Sequence, residues 1–423
     1  MNLLRNFASA YRSGLRLALH GALFAAAAPA FAQDPAPQEP APDLQEIARR
    51  LDLLAGEVAA ATTGDADAPG GVSIGGYGEM LYEHFPATRD DGAPLGRNDT
   101  IDLLRAVLYF GYEFDADWHF NSEIEFEHAT TGRAGEVAVE FAWLEYQALE
   151  ELAFRAGLLL VPMGFLNEQH EPTTFYSARR PGTETAILPT TWRENGVMAV
   201  GELFDRLEFR AAVFTGFDAA GFSAAGLRGG RQKGSKAKAE DLAGVLRLDA
   251  EVIPGLRVGG SAWMGGSGQD LMRASGTGIG AATDLYEAHA EWRWRGLRAR
   301  ALGVRGSVGD VLALNRALGL GGGASIGEEL EGGYLELGYD VLTLCAMQTD
   351  AALIPFARWE VYDTQAEVPA GFVRDGARDL RILTAGVAWQ PAGQIVVKAD
   401  WQSLENRAGT GFDQYALAVG YVF

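Results

Sequence analysis

The sequence predicts an all-β chain: a transmembrane antiparallel β-barrel of about sixteen strands, preceded by a short N-terminal periplasmic α-helical, coiled-coil segment. Three observations predict it. Segments of about 10–13 residues alternate polar and apolar positions with period two, and a strand needs about 9–11 residues to cross a bilayer. The connections between them alternate between short and long. The chain ends on Phe423 after Tyr415, Leu417, Val419 and Tyr421 in strict alternation, the terminal signal that barrel-insertion machinery reads.

Composition narrows the function. The chain has 423 residues, a net charge of −21 and 54 glycines, with a pI near 4.7 and a mean hydropathy of −0.03. The glycine content argues against a helix-dominated protein. The acidic balance argues against a nucleic-acid partner, which needs a basic face. Cys345 is the one cysteine, so a disulfide framework and multi-cysteine metal sites are excluded.

Residues 1–32 read as a secretory signal peptide. Arg5, Arg12 and Arg16 precede an Ala/Leu-rich run from Leu17 to Pro29, and Ala30-Phe31-Ala32 forms the cleavage site. Its removal would leave a net charge of about −24. Residues 33–43 are a Pro-rich spacer. Across 44–62, Leu44, Ile47, Leu51, Leu54, Val58 and Ala61 keep one narrow stripe at heptad spacing. This predicts a periplasmic coiled-coil helix that gathers copies of the chain; a helix lying on the barrel or a membrane surface is the alternative.

From residue 72 the period is two. The expected strands are 72–85, 101–113, 118–129, 136–149, 152–161, 194–204, 207–217, 241–252, 255–266, 283–294, 297–307, 329–341, 352–362, 379–390, 394–404 and 412–423. Short connections such as Glu150-Glu151, Ile253-Pro254 and Arg295-Gly296 face long ones at 86–100, 162–193, 218–240, 267–282, 308–328 and 363–378. Short periplasmic turns against long outer loops fit an outer-membrane barrel. An even strand number places both chain ends on the periplasmic side. Trp118, Trp292, Trp294, Trp389 and Trp401 lie near strand ends, where interfacial girdles sit.

Sixteen strands enclose a channel rather than a packed core. Alternation turns Arg105, Glu123, Glu125, Arg155 and Arg210, with many other charged residues, toward the lumen. Cross-strand pairing that merely holds the wall is the plain alternative for each.

Several stretches resemble the phosphate-selective porin O and P family. They are Ala156–Asn167, His170-Glu171-Pro172, Pro189–Gly196, Gly75–Glu79 and Ser122–His128. The resemblance spans about 72–423 and is sharpest over 154–204. It implies a sixteen-stranded trimeric porin with its third loop folded into the channel, and a coiled-coil segment at 42–62. In the family's phosphate-specific members, lysines on that loop bind the anion. Here loop 162–193 has no lysine, so those lysines are not carried over.

That loop is the expected constriction and anion-binding site, through Arg179, Arg180, Arg193, Glu168 and Glu171. An outward lid is the alternative. Arg228, Arg231, Lys233, Lys236 and Lys238 form an outer basic loop, which would steer anions or tether lipopolysaccharide; a mobile, solvated loop is the alternative. Glu168, His170 and Glu171 lack a second His at helical spacing, so loop hydrogen bonding is expected of them and no metal site is expected. Gly276–Gly280 and Gly321–Gly323 read as flexible loops, not phosphate cradles. No G-x-S-x-G elbow occurs. The expected function is passive diffusion of small hydrophilic solutes, with phosphate or other small anions favoured, no cofactor and no catalysis. A barrel lipase or protease, or a plugged structural barrel, are the rivals.

Overall fold

The computed structural model describes residues 71–129, 135–204, 206–345 and 349–423. The expected signal peptide, Pro-rich spacer and heptad helix lie outside the described residues.

Sixteen strands form one closed barrel among the described residues. In chain order they are β1 (Val72–His84), β2 (Thr100–Glu113), β3 (Trp118–Glu127), β4 (Val137–Leu149), β5 (Leu152–Leu160), β6 (Arg193–Leu203), β7 (Leu207–Thr215), β8 (Leu242–Ile253), β9 (Leu256–Gly265), β10 (Thr283–Trp294), β11 (Leu297–Val308), β12 (Glu329–Tyr339), β13 (Ala352–Glu367), β14 (Asp379–Ala392), β15 (Ile395–Asn406) and β16 (Phe412–Val422). Each pairs antiparallel with its sequence neighbours. β1 closes on β16, with Tyr77 opposite Val422 and His84 opposite Tyr415. The C-terminal residue completes the seam: Phe423 N donates to Gly76 O at 2.8 Å, and Gly76 N donates back to Phe423 O at 2.9 Å. Closure satisfies every strand edge, the condition for a sheet in lipid.

The alternation sorts side chains by face. On β16, Tyr415, Leu417, Val419 and Tyr421 are exposed outward, while Gln414, Ala416 and Ala418 are buried inward. Trp118, Trp292, Trp294 and Trp389 are exposed near the short-turn end, and Phe423 joins them. At the tight turn between β10 and β11, both Arg295 (φ 46°) and Gly296 (φ 82°) are left-handed, the geometry that matches strand twist.

Two elements depart from expectation. β13 runs to Glu367, five residues beyond the expected end. Its extension is held by Gln365, whose Nε2 donates to Gly323 O at 3.0 Å and whose Oε1 accepts from Asp375 N at 2.6 Å. These partners lie 42 and 10 residues from Gln365, in loops that local alternation does not reach. The connection between β12 and β13 also breaks the short-turn pattern, carrying a 3-10 turn at Val341–Cys345. Two short α-helices lie in long loops: α1 (Gly182–Ala186) and α2 (Val311–Ala317).

Candidate functional site: the third loop and the inner wall

The loop between β5 and β6 lies inside the barrel. Asn167 ties its two ends together. Its Nδ2 donates to Val161 O (2.7 Å) and Trp192 O (2.8 Å), and its Oδ1 accepts from Trp192 N (2.6 Å). Glu184, on α1, stiffens the middle. One oxygen accepts from Phe165 N and Leu166 N at 2.8 and 2.7 Å, and the other accepts from Tyr334 OH at 2.6 Å.

The wall's charges then hold the loop. Basic side chains donate to it: Arg247 to Gly164 O at 2.6 Å, Arg300 to Thr174 O at 3.0 Å, Lys398 to Ser177 O at 3.1 Å, and Arg358 to Ser177 Oγ at 2.6 Å. Acidic side chains accept from its amides: Asp400 from Ala178 N and Glu360 from Thr183 N, both at 2.5 Å. Tyr109 OH donates to Glu171 Oε1 at 3.1 Å. Contacts thus come from β2, β8, β11, β12, β13 and β15, on several sides of the barrel. Small wall residues make room. A Cβ at Gly420 would lie 2.4 Å from Pro172, and one at Gly338 would lie 2.5 Å from the Tyr176 ring.

Beside the loop, inward residues of β5 to β12 form an apolar cluster with four loops. Trp192 and Trp263 stand at its centre, with ring centroids 4.3 Å apart. Phe217 stacks on Trp192 at 4.6 Å. Sequence alternation missed this cluster, because the wall supplies only half of each contact and loops supply the rest.

The expected site residues separate into groups. Arg179 pairs with Glu83 of β1. Arg180 is a structural clamp, donating to Thr191 Oγ1 at 3.1 Å and His170 O at 3.0 Å. Arg193 is the first residue of β6 and is buried against Glu140, at 2.8 Å. Glu168 faces Arg210 at 3.3 Å. Of the five lumen candidates, Glu123 and Glu125 are buried. Arg105 lies between Glu79 and Glu125. Arg155 and Arg210 keep 29% and 25% of their side chains exposed.

The outer basic loop also divides. Arg228 donates to Thr190 O, and Arg231 to Pro189 O and Thr191 O, so both guanidiniums fasten the third loop. Lys233 donates to Glu136 Oε1 at 2.9 Å, and Lys238 to Asp218 Oδ2 at 2.7 Å. The Lys233 hydrogen bond holds the Glu136 carboxyl below the usual carboxylate range. His84 does the same for Asp99 in the first long loop.

Near the short-turn end, partly exposed arginines sit over their acid partners. Three arginines share Glu291, itself 12% exposed: Arg293 at 39% and Arg298 at 16% reach water more fully than it does, and Arg300 at 5% less. Arg155 is 29% exposed against 14% for Glu145. Arg257 and Glu208 are nearly equal, at 39% and 37%. A hydrolase constellation does not assemble among these described residues: His289 lies between Glu287 and Asp249, and Ser261 Oγ donates to Glu287 at 2.7 Å rather than to the imidazole.

Comparison with known proteins agrees with the fold. An uncharacterized protein of Aquifex aeolicus (strain VF5) is 35% identical over 368 residues, covering 84% of this chain and 80% of that protein. Among solved structures, Salmonella typhi OmpF in complex with daunomycin is similar, with a TM-score of 0.55 at 13% identity over 84% of this chain and 98% of that one. The outer membrane channel DcaP of Acinetobacter baumannii gives 0.52 at 10% identity, over 85% and 99%. An anion-selective porin from Comamonas acidovorans gives 0.51 at 12% identity, over 84% and 100%. At these identities the likeness is one of fold. No family model matches the chain.

Proposed function

This chain belongs to the same family as the Aquifex aeolicus protein, and from the barrel its sequence builds we propose that it is a bacterial outer-membrane porin. It carries small hydrophilic solutes by passive diffusion, with small anions such as phosphate preferred, and it works as a homotrimer without cofactor or catalysis. The phosphate-selective O and P family is the finer assignment its motifs favour. The observation that carries the reading is the third loop, seated inside a closed sixteen-strand wall by charged groups of that wall. Such a loop narrows the passage, and charge in a confined space acts more strongly than in open water. Anion preference rests on the arginines near the short-turn end, which meet water more fully than several of their carboxylate partners. Toward the long-loop end, Arg179, which pairs with Glu83 near the end of β1, is the proposed anion contact on the third loop, and Lys236 is the proposed steering charge outside.

Reversal potential across a planar bilayer in a KCl gradient tests the preference. A chloride-selective potential supports it; a cation-selective one removes the anion clause and leaves the pore. A second reading, a barrel plugged at rest, is favoured by the apolar cluster and by wall charges as deeply buried as Lys398 and Arg358, each 1% exposed. It predicts silent insertion until the loop is displaced.

A further inference from the structure

Glu123, Glu140 and His170 converge on one buried point, and each comes from a different element. Glu123 lies on β3. Glu140 lies on β4, at an irregularity where Glu123 pairs with Phe141 and Ile124 with Val139, leaving Glu140 as the extra residue. A bulge of this kind re-aims a side chain, and it sets Glu140 beside Glu123. His170 reaches them from the third loop. All three are at most 2% exposed, and their candidate ligand atoms lie within 4.8 Å of one another.

The imidazole is oriented for coordination. Nδ1 lies 3.1 Å from Asn167 O. A carbonyl only accepts, so Nδ1 carries the proton and Nε2 faces the carboxylates. Metal-bound histidines are commonly fixed in this way by a carbonyl behind them. Nε2 lies 3.2 Å from Glu123 Oε1 and 3.3 Å from Glu140 Oε2. Those spacings are long for a charge-assisted hydrogen bond, at about 2.7–2.9 Å. A tetrahedral ion with bonds of about 2.0–2.2 Å leaves its ligand atoms about 3.3–3.6 Å apart. The second oxygen of Glu123 has no hydrogen-bond partner, although it is buried. The other Glu140 oxygen accepts from Arg193 at 2.8 Å, which leaves Oε2 for the shared point.

We propose that Glu123, Glu140 and His170 bind one divalent transition-metal ion of the zinc class, which fastens the third loop to the β3–β4 wall. A water molecule would complete four-coordination. The proposal stands apart from which solute the barrel passes. Glu123 and Glu140 lie 17 positions apart, and 47 and 30 positions before His170, so no motif marks them. The nearer acids go elsewhere: Glu168 to Arg210, Glu171 to Tyr109.

The test uses the whole purified protein, stripped with chelator and dialysed against Zn²⁺ or Co²⁺. The expected results are about one zinc retained per chain and visible cobalt bands of a four-coordinate N/O site. Zinc affinity should fall at least about tenfold in both His170→Gln and Glu123→Gln. Glu123→Gln keeps the loop histidine, so it reads the site even if His170→Gln does not fold, and the wild-type cobalt spectrum needs no variant. Equal zinc retention in wild type and Glu123→Gln would overturn the proposal, as would a six-coordinate, solvent-like cobalt spectrum.

Discussion

Arg358 on β13 donates to the hydroxyl of Ser177, 181 residues away, at 2.6 Å. The same loop residue receives Lys398 on its carbonyl, and its own hydroxyl donates to Arg179 O at 2.5 Å. Ser177 is thus the point where two cations of the wall grip the loop's crest. Arg358 is also flanked by Glu336 at 3.1 Å and Glu360 at 3.9 Å. Replacing it with Ala strands two buried carboxylates. The expected cost is about 3–5 kcal/mol, read as a lower denaturant midpoint for the folded barrel, with faster proteolysis within 170–180.

Gly420 and Gly338 are seats for the loop. Gly420→Ala drives a methyl into Pro172, and Gly338→Ala drives one into Tyr176. Each should destabilise the barrel by about 1–3 kcal/mol and change conductance by shifting the loop off the wall into the lumen. Unchanged melting and unchanged current would show that the loop yields without strain.

Trp192 and Trp263 are each at most 1% exposed. Trp263→Ala removes the wall side of their contact, at an expected cost of about 3–5 kcal/mol. Equilibrium unfolding in detergent, followed by the fluorescence of the remaining tryptophans, measures it.

Neighbouring arginines should behave differently. Arg180→Ala loses two hydrogen bonds within the loop and should cost about 1–3 kcal/mol. Arg179→Ala frees Glu83 from its partner and should move the reversal potential toward cations. If Arg179→Ala leaves selectivity untouched, that residue is not an anion contact.

The Lys233–Glu136 pair joins the β3–β4 and β7–β8 connections, and its acid has a lowered pKa in the fold. Its contribution is therefore present above the unfolded carboxylate value of about 4.3 and disappears as pH falls through the lower folded value. Amide exchange in 231–240, corrected for intrinsic rate, should rise between about pH 7 and about pH 3. Lys233→Ala should show that faster exchange already at neutral pH.

Much of the wall was legible in sequence because a strand in lipid obeys a local rule: neighbours alternate, and the outer face must be apolar. Tyr415 to Tyr421 and Glu287 to Arg293 display that rule within a few residues. The interior was less legible. Alternation says that Lys398 and Arg358 face inward, but not whether water or a loop awaits them. Their partners, Ser177 and its neighbours, lie about 180–220 residues away, in a segment without period. The bulge that turns Glu140 toward Glu123 breaks the alternation on which the reading depends. Arg228 and Arg231 read as a solvated basic run, yet three loop carbonyls take up their guanidiniums.

If the third loop sets the width of a water-filled passage, shortening it must widen that passage. Single-channel conductance in a planar bilayer tests it most directly, comparing the native chain with a variant whose residues 172–180 are replaced by two glycines. Discrete current steps are expected from the native protein, and steps several-fold larger from the variant. Equal steps from both, or silence from both after verified insertion, would contradict it.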